Sequence, residues 1–110
     1  MVVHIDTERI ADWESFHTVF IEAFGFLDGY GRNMDAWIDC MSTLDDEPGT
    51  SLSTFHCPVG EVVVLHLEQA DALALRVPLI FQQILDCAAV VNWRRIEGGQ
   101  KAILALSYYK

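Results

Sequence analysis

Two carboxylates spaced one helical turn apart are the residues of this chain best placed to do chemistry. Asp35 and Asp39 lie four positions apart in a stretch whose apolar pattern predicts a helix, and residues at that spacing share one helix face. Like charges so placed destabilise an isolated helix by about 0.2–0.5 kcal/mol. Asp35 recovers part of this cost because it lies in the first turn, at the positive end of the helix dipole. Asp39 lies too far along the helix to do so, and we expect a sequence that retains such a pair to use it.

Paired carboxylates can act as a general acid and base, or as fixed anions that bind a cationic partner. Acid–base catalysis by Asp35 and Asp39 would need one pKa raised in an apolar cleft, which a convex helix face does not offer. Carboxylates held on a rigid helix can instead occupy a cationic site built for phosphate, because they present the same negative charge. A small hydrolase is therefore the weaker hypothesis, and a solvated helix face is the structural alternative.

The residues before the pair predict a tight loop that opens this helix. Gly31 permits a sharp backbone turn, and Asn33 is suited to cap the first turn through its side-chain oxygen. With Tyr30, these residues form the pattern Tyr-Gly-x-Asn-hydrophobic-Asp-Ala, which continues to Asp39-Cys40. The loop context favours a functional role for the two aspartates over a merely solvated face.

This pattern resembles the barstar family of intracellular ribonuclease inhibitors. The predicted first helix, with Asp12, Phe16 and His17, is similar to the first helix of that family, and the resemblance extends from the N terminus to Leu44. It implies a proteinaceous inhibitor, without a cofactor, that blocks the active site of a basic nuclease one to one. The resemblance also implies the role of an immunity protein against a secreted nuclease toxin.

The resemblance places a partner-binding surface on the loop and on the acidic face of the second helix. Asp39 would be the central phosphate mimic and Asp35 its neighbour. The full set of predicted contacts is Tyr30, Gly31, Asn33, Asp35, Ala36, Ile38 and Asp39. A binding module that holds some other cationic protein without inhibiting it would use the same surface and stays open as the alternative.

Several residues depart from the family pattern and predict a cognate nuclease other than barnase. Gly29 replaces a tyrosine, Ile38 and Leu44 replace tryptophans of the interface, and Arg32 replaces an acid. The glutamate that the family carries on its last helix has no clear match. The nearby candidates are Gln82, Gln83 and Asp86.

Composition sets bounds on partners and location. The 110 residues suit a single domain over 1–110, and 16 acidic against 7 basic residues give a net charge of −9. Such a chain is not expected to bind nucleic acid or an anionic membrane directly, and it suits a basic partner. No signal peptide or membrane span is predicted, so a cytoplasmic location is expected.

Cysteine and histidine spacing predicts neither disulfides nor a metal site. The three cysteines, Cys40, Cys57 and Cys87, are odd in number and widely spaced. His56 adjoins Cys57 without a second pair at ligand spacing, and the other histidines are isolated in the sequence. The cysteines at positions 40 and 87 are expected to be small buried hydrophobic residues.

Strands alternate with helices along the chain, which predicts an α/β fold with a small three-stranded parallel sheet packed with helices, barstar-like. The run Val62-Val63-Val64-Leu65 predicts a central strand buried on both faces. Residues 45–60 are rich in turn formers and predict a loop, whose acids Asp45, Asp46 and Glu47 are expected to be solvated. The other predicted elements are a strand at Val2–Ile5, helices at Trp13–Phe24, Met34–Leu44 and Pro78–Trp93, a helical turn at Gln69–Arg76 and a last strand at Ala102–Tyr108.

Overall fold

A three-stranded parallel sheet organises the chain. The computed structural model describes all 110 residues and contains strands β1 (Val2–Ile5), β2 (Val63–Leu67) and β3 (Leu104–Tyr108). They lie side by side in the order β1-β2-β3, and both pairings are parallel. Parallel neighbours require long crossover connections, and the helices supply them. The predicted α/β architecture is confirmed.

Four α-helices connect the strands. They are α1 (Trp13–Phe24), α2 (Met34–Ser42), α3 (Ala70–Arg76) and α4 (Pro78–Glu97), and a short 3-10 turn covers Thr7–Arg9. The second helix ends two residues earlier than the pattern predicts, and the last helix continues four residues beyond Trp93. No single helix is long and apolar enough to cross a membrane; α3 and α4 reach that length and composition only as a pair bent by 118°.

Local sequence signals define the ends of α1. The Asp12 carboxylate accepts a hydrogen bond from the Ser15 backbone N–H at 2.8 Å, and this bond lowers the pKa of Asp12. At the other end Gly25 adopts a left-handed conformation with φ of 64°. A Cβ there would lie only 1.8 Å from the Thr54 hydroxyl oxygen, so glycine is required for both reasons. The predicted start and stop of this helix are confirmed.

The sheet is buried on one face, not on both. Along β2, Val63, Leu65 and Leu67 are buried, whereas Val64 and His66 are only half-buried. Burial on alternate residues means that helices cover one face. The expectation of a strand buried on both faces is therefore wrong: a run of β-branched residues marks a central strand but does not show whether a second layer of helices exists.

The 45–60 segment is a loop, as predicted, and it is pinned against the end of α1. The Leu27 N–H donates to the Leu52 carbonyl at 3.1 Å, and the Thr54 N–H donates to the Gly25 carbonyl at 2.8 Å. The Cys57 N–H donates to the Leu44 carbonyl at 2.8 Å. This loop therefore supports the backbone that leads from α1 into α2.

Candidate functional site

The second helix separates a packing side from an acidic side. Trp37 and Met41 are fully buried, which fixes the rotation of α2 and leaves Asp35 and Asp39 exposed. The Asn33 side chain accepts from the Ala36 N–H at 2.8 Å, so the predicted cap is confirmed. The two aspartates are therefore carried on a helix whose start and orientation are both set.

Asp39 has a cationic partner that its local sequence does not show. The Arg94 guanidinium on α4 donates to Asp39 Oδ1 at 3.1 Å, and the two side chains are 49% and 53% exposed. Asp35 has no cationic side chain within ion-pair distance. Asp35 is thus unpaired, whereas Asp39 forms an ion pair with an arginine of the same chain.

A third exposed acid, Asp86, is carried on α4. Burial raises the pKa of the Cys87 thiol, and the charges of Asp86 and Asp35 raise it further. Gln82 donates to Asp86 Oδ1 at 2.9 Å, whereas Gln83 accepts from the Cys87 thiol at 3.4 Å. Of the three residues left open for the last helix, Asp86 is the one that adds negative charge.

Tyr30 anchors the loop through its hydroxyl. Its oxygen lies 2.6 Å from His17 Nδ1, and burial raises the pKa of Tyr30 and lowers the pKa of His17. The phenol therefore keeps its proton, and the two side chains form a hydrogen bond. The ring also packs against Phe26, with 4.7 Å between centroids. Tyr30 holds the loop shape, and only its partly exposed ring is left for a partner.

Arg32, not Gly31, takes the strained conformation in this loop. Arg32 has φ of 49°, a left-handed value that is uncommon for a residue with a side chain. Gly31 has a different role, because a Cβ there would lie 3.1 Å from the Asn33 amide nitrogen and 3.5 Å from Ala36 Cβ. The sharp turn expected at Gly31 therefore occurs at Arg32. Position 31 favours glycine for another reason, because the backbone there packs closely against the Asn33 cap.

The Arg32 side chain folds back onto α1. Its guanidinium donates to the Glu14 carbonyl at 2.8 Å and to the Thr18 hydroxyl at 2.9 Å. The positive charge that replaces an acid of the family is therefore held at the α1 side of the loop.

A depression of about 230 Å³ lies between the loop and α2. Asp28 and Asp39 lie at this depression with apolar neighbours, so an inserted side chain would meet apolar walls and two acidic residues. The lining residues are Leu27, Asp28, Gly29, Tyr30, Ala36, Asp39, Cys40 and Leu52. Ala36 lines this depression, whereas Ile38 is only 8% exposed and packs in the core, so it offers a partner little area.

Asp45 is a structural residue, which corrects the expectation of a solvated acidic loop. Its carboxylate accepts from Arg95 at 2.7 and 2.9 Å, and the two side chains are 8% and 5% exposed. The hydrogen bonds from Arg95 lower the pKa of Asp45. Arg95 also donates to the Ser42 carbonyl at 2.8 Å, at the end of α2. This pair locks the end of the acidic helix to α4.

The three tryptophans differ in exposure. Trp37 is fully buried, Trp13 is 40% exposed, and Trp93 is 62% exposed on α4, next to Arg94. Trp93 is thus the tryptophan with the largest area available to a partner. It lies seven residues after Asp86 in the same helix, a spacing that keeps the two side chains on one side of α4.

The cysteines are poor candidates for nucleophiles. All three are buried, and burial raises the pKa of the Cys40 thiol to about 11, with a further contribution from Asp39. Burial also raises the pKa of Cys57. A nucleophilic cysteine needs the opposite shift, toward the thiolate.

A comparison with protein-family models identifies the family of this chain. The model described as Barstar (barnase inhibitor) matches residues 1–105 of the 110-residue chain. The match extends well beyond Leu44, where the residue-level resemblance ends, and so includes β1, β2, α4 and the first two residues of β3. No individual curated protein matches the chain. The loop, the capped acidic helix and the parallel sheet agree with this match, and the chain belongs to the barstar family.

Proposed function

We propose that this protein inhibits a basic, barnase-like ribonuclease by covering its active site with α2 and the loop before it. The observation that supports this most directly is the exposed pair Asp35 and Asp39 on a helix whose rotation is fixed by buried Trp37. Family membership supports an inhibitor and not an enzyme. We further propose a one-to-one complex, formed in the cytoplasm as immunity against a nuclease toxin.

The physical basis is charge mimicry. A ribonuclease surrounds the phosphate of its substrate with cationic side chains, and carboxylates fixed on a rigid helix can accept the same hydrogen bonds. Asp35 and Asp39 supply two of these anions, and exposed Asp86 on α4 adds further negative charge. The inhibitor has no phosphodiester to cleave, so the complex would persist.

The depression beside Asp39 suits one cationic side chain of the enzyme. Its apolar walls would cover an aliphatic stem or a ring, and the Asp39 carboxylate would accept the charged end. The net charge of −9 would speed the encounter with a basic enzyme, most strongly at low salt.

Three residues favour a cognate target that differs from barnase. Gly29 contributes no side chain to the depression, and Arg94 adds a positive charge beside Asp39. Trp93 offers an exposed aromatic surface on α4 instead, and large aromatic side chains are enriched in protein interfaces.

Titration of RNA cleavage tests the proposal. Purified protein is added to barnase and to a panel of other basic bacterial ribonucleases, and residual activity is measured against molar ratio. The proposal expects complete inhibition of at least one enzyme with an endpoint near equimolar. Binding without loss of activity would instead support a non-inhibitory module, and binding to none of the cationic enzymes would refute both.

A further inference from the structure

Two histidines that are far apart in the sequence lie side by side on the uncovered face of the sheet. His4 on β1 pairs with His66 on β2 in the parallel register, and their ring centroids are 4.9 Å apart. Glu68 follows His66 by two residues, so its side chain lies on the same face as the histidines. The expectation that these histidines are isolated is therefore wrong, because it considered spacing along the chain only.

The three side chains have the spacing of metal ligands. His4 Nδ1 lies 3.1 Å from Glu68 Oε1, and His66 Nε2 lies 4.0 Å from the same oxygen. One ligand atom from each of the three residues lies within 4.8 Å of the others. Ligand atoms on a tetrahedral Zn²⁺ with bonds of about 2.0–2.1 Å are roughly 3.3 Å apart. Small side-chain rotations would therefore bring all three onto one ion.

Neighbouring residues orient two of these ligands. The Ser107 hydroxyl on β3 lies 2.8 Å from His66 Nδ1, which leaves His66 Nε2 directed toward Glu68. The buried Thr7 hydroxyl donates to the Glu68 carbonyl and holds the backbone there. Hydrogen bonds to the second ring nitrogen of a ligating histidine are typical of metal sites, because they fix the ring and its tautomer.

The site is open to solvent. The side chains of His4, His66 and Glu68 are 66%, 36% and 62% exposed, and His66 and Glu68 also line a depression of about 410 Å³. An ion held by three protein ligands would therefore keep at least one position for water or a further ligand.

We propose that His4, His66 and Glu68 bind one divalent transition-metal ion, with Zn²⁺ or Ni²⁺ as the class expected from two imidazoles and a carboxylate. The ion would link β1 to β2 and stabilise the folded chain by an amount that rises with the logarithm of its free concentration once this exceeds the dissociation constant. The site uses the open sheet face and none of the residues proposed to contact a nuclease.

Calorimetric titration with Zn²⁺ at pH 7.5, with melting temperature as a second measurement, tests the proposal. The parent protein should bind one equivalent and melt at a higher temperature with Zn²⁺. His4→Ala and His66→Ala should each weaken binding by at least about tenfold, since residues that merely support metal ligands cause losses of about 10–100-fold. The matched control is His56→Ala, which removes an exposed histidine of the 45–60 loop and should bind like the parent.

Paramagnetic Ni²⁺ gives a test that needs no variant. Histidine ring signals of His4 and His66 should broaden at substoichiometric Ni²⁺, while those of His17 and His56 stay sharp. The proposal is overturned if the parent binds no Zn²⁺, if His4→Ala and His66→Ala bind as tightly as the parent, or if all exposed histidines broaden equally.

Discussion

Removal of Arg94 should strengthen binding to the target nuclease. In the free protein Arg94 donates to Asp39 Oδ1 at 3.1 Å, so it occupies the carboxylate that is proposed to meet the enzyme. The expected gain rests on the proposed function, in which Asp39 contacts the nuclease. Arg94→Gln frees Asp39, removes a positive charge that would face a cationic enzyme, and keeps a side chain of similar length.

The size of the expected gain in affinity follows from the exposure of the Arg94–Asp39 ion pair. Both side chains are about half-exposed, at 49% and 53%, and ion pairs of that kind stabilise by about 0.2–1 kcal/mol. If complex formation breaks the pair, its removal lowers the dissociation constant by about 1.4- to 5-fold. Relief of repulsion between Arg94 and the enzyme would add to this gain, and the total should shrink as salt rises.

Arg9→Gln is the matched control. Arg9 pairs with Glu22 at 2.5 Å with the same exposed fractions, 49% and 53%, but it connects the 3-10 turn to α1. The Arg9→Gln variant changes the net charge by the same amount as Arg94→Gln, but it should alter the affinity for the nuclease less. Dissociation constants from surface plasmon resonance at low and high salt would compare the two variants. Equal effects of the two variants, or weaker binding by Arg94→Gln, would refute the reasoning.

Three further predictions concern stability. Arg95→Ala should lower the free energy of unfolding in urea by about 3–5 kcal/mol, because it leaves the Asp45 carboxylate buried without its partner; a loss below about 1 kcal/mol would contradict the assigned burial. Because the pKa of Asp45 is lower in the folded than in the unfolded protein, its ionised carboxylate stabilises the fold fully above the unfolded-state pKa, and this stabilisation is lost as the pH falls through the folded-state pKa. Asp45→Asn should therefore flatten the acid side of the plot of stability against pH. Tyr30→Phe should cost about 0.5–1.5 kcal/mol by removing the hydrogen bond to His17, and hydrogen exchange should show faster opening of the loop; unchanged exchange would contradict an anchoring role.

Structural features that depend only on neighbouring residues could be predicted from the sequence. Asp12, Gly25 and Asn33 act within their own helix ends, and the structure confirms all three. The apolar pattern of residues 34–44 likewise predicted a helix there, because helical periodicity depends on adjacent turns alone. The barstar-family pattern from Tyr30 to Cys40 then indicated the family, which the model match confirms.

Contacts between distant segments were not predictable in the same way. Arg94 reaches Asp39 across 55 positions, and Arg95 reaches Asp45 across 50. His4 meets His66 only because β1 and β2 pair in one particular register. Each miss concerns a property that exists only once the elements are assembled.

The effect of Asp39→Ala on inhibition tests the central claim most directly. The measurement is the inhibition constant against the ribonuclease that the parent titrates to an equimolar endpoint, with Glu8→Ala on the 3-10 turn as the control for charge. Asp39→Ala should cost about 3–5 kcal/mol of binding, a loss of affinity on the order of 10²–10³-fold, because cationic groups of the enzyme would be buried unpaired. Asp35→Ala should cost less, and both variants should unfold at nearly the parent's urea concentration. If Asp39→Ala inhibits as well as the parent and Glu8→Ala do, the acidic face of α2 is not the inhibitory surface.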